Sequence, residues 1–185
     1  MHRKFPSTRL RRNRSSEFIR KLVRENDVCA SDLIYPMFVI AGENECKKVE
    51  SMPGIYRYSI DNLLKEAEEV HNLGIPAIAI FPNIEPSLRN ATGSEATNRK
   101  GLVANTVRAL KKHIPELGVM TDVALDPYTD HGHDGLVNDQ GYVINDETVK
   151  VLCEQALVCA EAGADIIAPS DMMDGRIGEI RSDLD

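Results

Sequence analysis

Pro76-Ala-Ile-Ala-Ile-Phe-Pro82 sets a short, wholly apolar run between two prolines. The run is strand length and too short for a helix, and its lack of polar alternation predicts a strand buried on both faces. Just upstream, Leu63, Leu64, Ala67 and Val70 recur at helical spacing. They predict an amphipathic helix over Ile60–Leu73, capped by Ser59 and stopped by Gly74.

The same beat continues in both directions. Ile34–Ala41 reads as a strand, Leu102–His113 as a helix ended by Pro115, and Leu117–Asp126 as a further strand. Asn145 is placed to cap a helix over Asp146–Ala162, with Asp146 and Glu147 in its first turn and Gly163 at its end. Asp165–Pro169 reads as the fourth strand, and another helix starts at Arg176. Apolar strands separated by amphipathic helices indicate an α/β fold, a parallel sheet covered by helices. Four βα units suit a flavodoxin-like sandwich or half of a (β/α)8 barrel. A whole barrel takes ~250 residues, and this chain has 185. The barrel alternative therefore carries only the first four units, over residues 34–185.

Residues 1–33 precede the first strand and read as an arm. Residues 1–24 carry nine Lys/Arg against one acid, so the remainder must sum to -15 to give the chain's -7. A basic arm on an acidic body fits a nucleic-acid arm, an organellar targeting peptide or a self-association arm. The segment lacks the aromatic platforms of RNA-binding segments and the apolar core of a secretory signal. Docking on an acidic neighbour of its own kind is the reading adopted. No apolar run approaches the ~18 residues of a membrane span, and none is expected. Cys29, Cys46, Cys153 and Cys159 form no CxxC pair and no disulfide framework, which points to a reducing compartment. A cytoplasmic location is expected, with organellar targeting by the arm as the other outcome.

Chemistry concentrates after the third strand. In both architectures ligands meet the C-terminal ends of the strands. Period-2 alternation puts Val119, Thr121, Val123 and Leu125 on one face, and Met120, Asp122, Ala124 and Asp126 on the other. Asp122 is a carboxylate in an otherwise apolar strand, a costly placement that marks either a functional group or a structural ion pair. The loop Asp126-Pro-Tyr-Thr-Asp-His-Gly-His-Asp134 follows. Its His131, His133 and Asp134 could ligate a metal, since imidazole and carboxylate suit zinc or manganese. The fourth strand ends in Ser170-Asp171, a ligand-facing pair or a helix cap. Gly93-Ser94-Glu95 is a weaker candidate of the same kind.

Thr121-Asp-Val-Ala-Leu-Asp-Pro-Tyr-Thr-Asp-His-Gly-His-Asp-Gly135 closely resembles the metal-loop signature of the porphobilinogen synthase (delta-aminolevulinic acid dehydratase) family. Asp32–Val39, Ser51–Arg57, Gly93–Ala96 and Ala162–Arg176 agree with it in order and spacing, and the similarity runs from about Arg9 to Asp185. The resemblance implies a TIM barrel with an N-terminal arm that wraps a neighbouring subunit, usually in a homo-octamer. It implies condensation of two 5-aminolevulinate molecules to porphobilinogen with loss of water, in tetrapyrrole and haem biosynthesis. The two Schiff-base lysines of that chemistry belong to later strands, beyond this chain, so the piece alone is expected to be inactive. By motif position Asp122 matches an active-site aspartate and Ser170 a serine beside one substrate. Asp126 and Asp134 become substrate-binding candidates.

Zinc-dependent members of the family carry three cysteines where this chain has Ala124, Asp126 and Asp134. Carboxylates favour hard cations or a substrate ammonium over zinc. The resemblance therefore implies magnesium for the parent enzyme, no zinc in its active site, and Asp126 and Asp134 as metal-ligand candidates. No nucleic acid and no membrane partner is expected. Two other classes compete: a stand-alone α/β binding module, and a metal-assisted hydrolase using His131, His133 and Asp134.

Overall fold

The computed structural model describes residues 3–185; Met1 and His2, the first residues of the expected arm, lie outside them. Four strands form the frame: β1 (Ile34–Ile40), then, numbered with the hairpin strands below, β4 (Ala77–Asn83), β5 (Gly118–Val123) and β6 (Ile166–Pro169). They lie side by side in chain order, each parallel to the next. The helices between them are α2 (Ile60–Asn72), α3 (Leu102–His113) and α4 (Asn145–Ala162), and α5 (Arg176–Leu184) follows β6. Each expected strand and helix is present, with bounds shifted by at most three residues.

All these helices pack on one face of the sheet. Met37, Val39, Ile78, Ile80, Val119 and Val123 point into that layer and are buried. Each such side chain contributes about 1.5–3 kcal/mol when removed from water. The opposite, concave face is open: Ile34 is 47% and Ile166 40% exposed. A flavodoxin-like sandwich covers both faces of its sheet, so that alternative is set aside. What stands is an α/β fold with a six-stranded, mostly parallel sheet.

Two short strands went unread in the sequence, β2 (Cys46–Lys48) and β3 (Tyr56–Tyr58). They pair antiparallel, and β3 pairs parallel with β1 through Phe38↔Arg57 and Val39↔Tyr58. Lys47 and Lys48 therefore lie in a strand. The outer edge of β1 is thus partly paired, whereas that of β6 is open.

Helix ends follow their expected stops. Gly163 adopts a φ of +106°, which an L residue rarely takes, and Ala164 N–H closes back on the Cys159 carbonyl at 3.1 Å. Two caps are corrected. Ser59 sits at the N-cap of α2, but its hydroxyl accepts Glu45 N–H at 2.8 Å and makes no cap bond. Asn145 is the first residue of α4, and Ile144 is the cap. In the arm, 3-10 turns at Leu10–Arg14 and Ala30–Asp32 flank a short helix α1 (Glu17–Leu22), and residues 3–33 include no buried residue.

Candidate functional site

The expected alternation along β5 holds. Val119, Thr121 and Val123 are buried beneath the helices, while Met120 and Asp122 turn to the concave face. Asp122 pairs in register with Ala168 of β6, so Ser170 stands one pleat further along the same face. Ser170 N–H reaches the Val123 carbonyl at 3.2 Å, and its hydroxyl lies against the Asp122 carboxyl. Burial lifts the Asp122 pKa above the ordinary carboxylate value; the charges of Asp126 and Asp171 add to the lift, and Ser170 opposes it.

The chain then turns sharply, with Tyr128 and Thr129 N–H both donating to the Leu125 carbonyl at 2.9 Å. Tyr128 plugs the core beneath this turn, and burial drives its phenol far above the ordinary value. Gln155 of α4 is also buried, and its Nε2 donates to the Ala124 carbonyl at 3.3 Å. Asp126 sits at the exposed rim, its pKa raised by the protein around it and by the charge of Asp134. The Gly93–Glu95 candidate forms a neighbouring turn: Asn90 N–H donates to the Tyr128 carbonyl at 3.2 Å, and a Cβ on Gly93 would touch Thr129 and Leu125.

Asp134 bridges two loops. One carboxylate oxygen lies 2.6 Å from His133 Nδ1, and the other accepts Met172 N–H at 3.0 Å. His131 is exposed, and its Nδ1 accepts His133 N–H at 3.1 Å. Asp171, read from the sequence as ligand-facing or a cap, is buried: it accepts Met173 N–H at 2.7 Å and lies 3.4 Å from Arg176 Nε. Gly175, with a φ of +82°, precedes α5 in the cap position instead.

A metal fits this set poorly. Ala124 offers no donor atom, and Cys153 and Cys159 lie buried on α4, with burial pushing the Cys153 thiol to about 11. Among the described residues, no three His, Cys, Asp or Glu side chains converge at metal-binding separation. By themselves His131, His133 and Asp134 form no metal-binding cluster among the described residues, where Asp126 and Asp134 gain no third ligand.

A profile of the delta-aminolevulinic acid dehydratase family matches residues 7–185. The chain belongs to that family. It is 58% identical over 177 residues to the delta-aminolevulinic acid dehydratase of Bradyrhizobium diazoefficiens, covering 96% of this chain and 50% of that protein. It is 47% identical over 180 residues to the chloroplastic enzyme 1 of Arabidopsis thaliana, covering 97% and 42%. Among solved structures it resembles the delta-aminolevulinic acid dehydratase (porphobilinogen synthase) of Toxoplasma gondii, determined with the reaction product porphobilinogen. That likeness has a TM-score of 0.92 at 46% identity and covers 96% of this chain and 50% of the other. The chain thus spans about half the length of the dehydratases it matches.

Sequence reading of this candidate site missed Asn145, Gln155 and Tyr128. Asn145–Asp174 and Gln155–Ala124 are contacts across 29 and 31 residues, and Tyr128 is buried in the core, none of which a local pattern reports.

Proposed function

We propose that this chain supplies the first four βα units of a TIM barrel, and that the whole protein is a porphobilinogen synthase. The structural likeness to the product-bound Toxoplasma gondii enzyme is the observation that carries the reading, because it extends over the strand ends where Asp122 and Ser170 meet. The substrate is 5-aminolevulinate, which carries an ammonium, a ketone and a carboxylate. Two molecules condense to one pyrrole with loss of water.

In this reading Asp122 moves a proton at the substrate carbon or amine. A carboxyl with a raised pKa keeps its proton closer to neutrality and, once ionised, is a stronger base toward the substrate proton. The Ser170 hydroxyl orients that carboxyl, and Asp126 at the rim draws in the substrate ammonium. The turn at Leu125–Thr129, plugged by Tyr128, holds Asp126 in place. The amines that form Schiff bases come from outside this chain. Of its nine lysines, Lys111 is tied to Asp165 at 2.9 Å, at the start of β6 and far from the Ser170 end. The hard oxygens of Asp126 and Asp134 replace a thiolate set and support a zinc-free site. Magnesium is proposed for the whole protein without a ligand set in this chain, and no step is routed through it.

A homo-octamer held by the basic arm, and a cytoplasmic location, complete the proposal. Exposed Leu10, Phe18 and Leu22 in the arm support a docking role. No helix among the described residues is long and apolar enough to cross a membrane.

The test is incubation of the whole protein with 5-aminolevulinate. Pyrrole product, and covalent trapping of substrate by borohydride, are expected. Substrate left unchanged by a folded whole protein refutes the assignment.

A further inference from the structure

Asn145 opens α4 one residue past the Ile144 cap, and its amide, which also touches the Asp146 carboxylate, reaches across to the loop after β6. Asp174 N–H donates to Asn145 Oδ1 at 2.7 Å, and Asn145 Nδ2 donates to the Asp174 carbonyl at 3.2 Å. One side chain thus satisfies both peptide groups of a single residue, as a neighbouring strand would. Thr148 ties the first turn of α4 to the preceding loop: its hydroxyl donates to the Ile144 carbonyl at 2.6 Å and accepts Leu136 N–H at 2.9 Å.

The segment gripped in this way is the loop 170–175, which begins with Ser170. One bond is internal, Met173 N–H on Asp171, while the Arg176 guanidinium at the start of α5 holds the carbonyls of Asp171 at 2.9 Å and Met173 at 3.2 Å. The Met173 side chain is buried in the core. Three further hydrogen bonds tie the loop to other parts of the chain: Ser170 N–H on Val123, Met172 N–H on Asp134, and Asp174 on Asn145. The first is the tail of the sheet ladder. The second comes from a loop that itself lies on the rim. Asn145 alone stands on a long helix, 18 residues with Val149, Leu152, Ala156 and Cys159 in the core.

The geometry points to Asn145 as a positioning residue, whose two-point grip on Asp174 sets the loop 170–175 and through it the approach of Ser170 to Asp122. It touches neither Asp122 nor Ser170 and acts only through the loop. This inference deepens the reading of Asp122 and Ser170 as a functional pair and rests on it.

Two variants of the chain separate the outcomes. Asn145→Ser keeps a polar residue at the helix start but is too short to hold both Asp174 groups. Asn145→Asp keeps the oxygen that accepts the 2.7 Å bond. Hydrogen exchange of the 170–176 segment, followed by mass spectrometry, should run about tenfold faster in Asn145→Ser, the scale of one lost hydrogen bond. Asn145→Asp should restore most of the protection.

The second measurement is the pH profile of carbodiimide labelling at Asp122. Asp122 feels Ser170 and Asp171 from the β6 end, Asp126 from its own loop, and Cys159 and Tyr128 behind it. With Ser170 withdrawn and both acidic neighbours still present, the labelling midpoint should move up in Asn145→Ser and return in Asn145→Asp. A folded Asn145→Ser chain with wild-type exchange in this segment overturns the inference, and so does an unmoved Asp122 midpoint. Neither readout uses turnover, so failure here leaves the proposed enzyme activity standing, and failure of the activity assay does not alter these results.

Discussion

Asp134 and Met172, 38 residues apart in the chain, meet through one hydrogen bond: the Met172 N–H donates to the Asp134 carboxylate at 3.0 Å. The bond joins the loop after β5 to the loop after β6, and the two loops together form the rim around Asp122. Asp134 therefore has a structural task beside any contact with substrate. Asp134→Ala should destabilise the chain by about 1–3 kcal/mol, because it strands a peptide N–H and frees His133. Asp134→Asn, which keeps an acceptor oxygen, should cost less. Urea unfolding midpoints measure the difference, and equal losses would assign the effect to packing.

Asp122 is expected to trade stability for activity. Its folded pKa lies above the unfolded value, chiefly through burial, so ionising it costs the folded state free energy as pH rises through that folded pKa. Asn cannot ionise. Asp122→Asn should therefore match the wild type in acid, where both side chains are neutral, and become relatively more stable toward pH 7. Thermal melts of both proteins across this range give the sign. In the whole protein the same change should cut turnover by roughly 10²-fold or more.

Zinc should be dispensable. Ala124, Asp126 and Asp134 hold no sulfur, and oxygen donors bind zinc without the selectivity of thiolates. A zinc-selective chelator is expected to leave activity of the whole protein intact. Activity that disappears and returns only with zinc would contradict this.

Schiff-base chemistry should be absent from the chain alone. Its lysines lie in the arm, in β2, on helix surfaces, or, for Lys100, beside a cavity of about 290 Å³ lined also by Glu85, Glu95 and Asn105. Borohydride treatment with 5-aminolevulinate should label none of them in stoichiometric amount. A single fully labelled lysine, with product formed, would relocate the catalytic amine.

The open edge of β6 should make the chain self-associate. Ile166, Ile177, Ile180 and Leu184 line a groove of about 340 Å³ beside that edge. An uncovered strand edge next to apolar surface is a pairing template. Sedimentation should show concentration-dependent association that Ile166→Lys reduces; a monomer at all concentrations would show the edge to be harmless.

Much of this was legible in residue order. The helix Leu102–His113 has the same bounds in both readings, since Gly101 and Pro115 punctuate it locally. The two faces of β5 follow from a period of two, and the family from motifs that are contiguous in the chain. Local signals also placed Asp122 within the third strand and Ser170 at the end of the fourth.

The remainder required the folded molecule. Three-residue strands such as Cys46–Lys48 and Tyr56–Tyr58 show no periodicity, and they exist because β1 offers them an edge. Asn145 carries the same cap signal whether or not its amide is free; only the approach of Asp174 gives it a better partner. Period and punctuation report what each segment does with its own backbone, so the sequence by itself determined elements, order and family. Which polar side chains bridge loops depends on contacts across 29 and 38 residues, and which face of the sheet stays open and which carboxyl is lifted in pKa depend on burial and on neighbours brought together from elsewhere in the chain. Those contacts form only when the sheet brings its strand ends together, and they were decided by the tertiary structure.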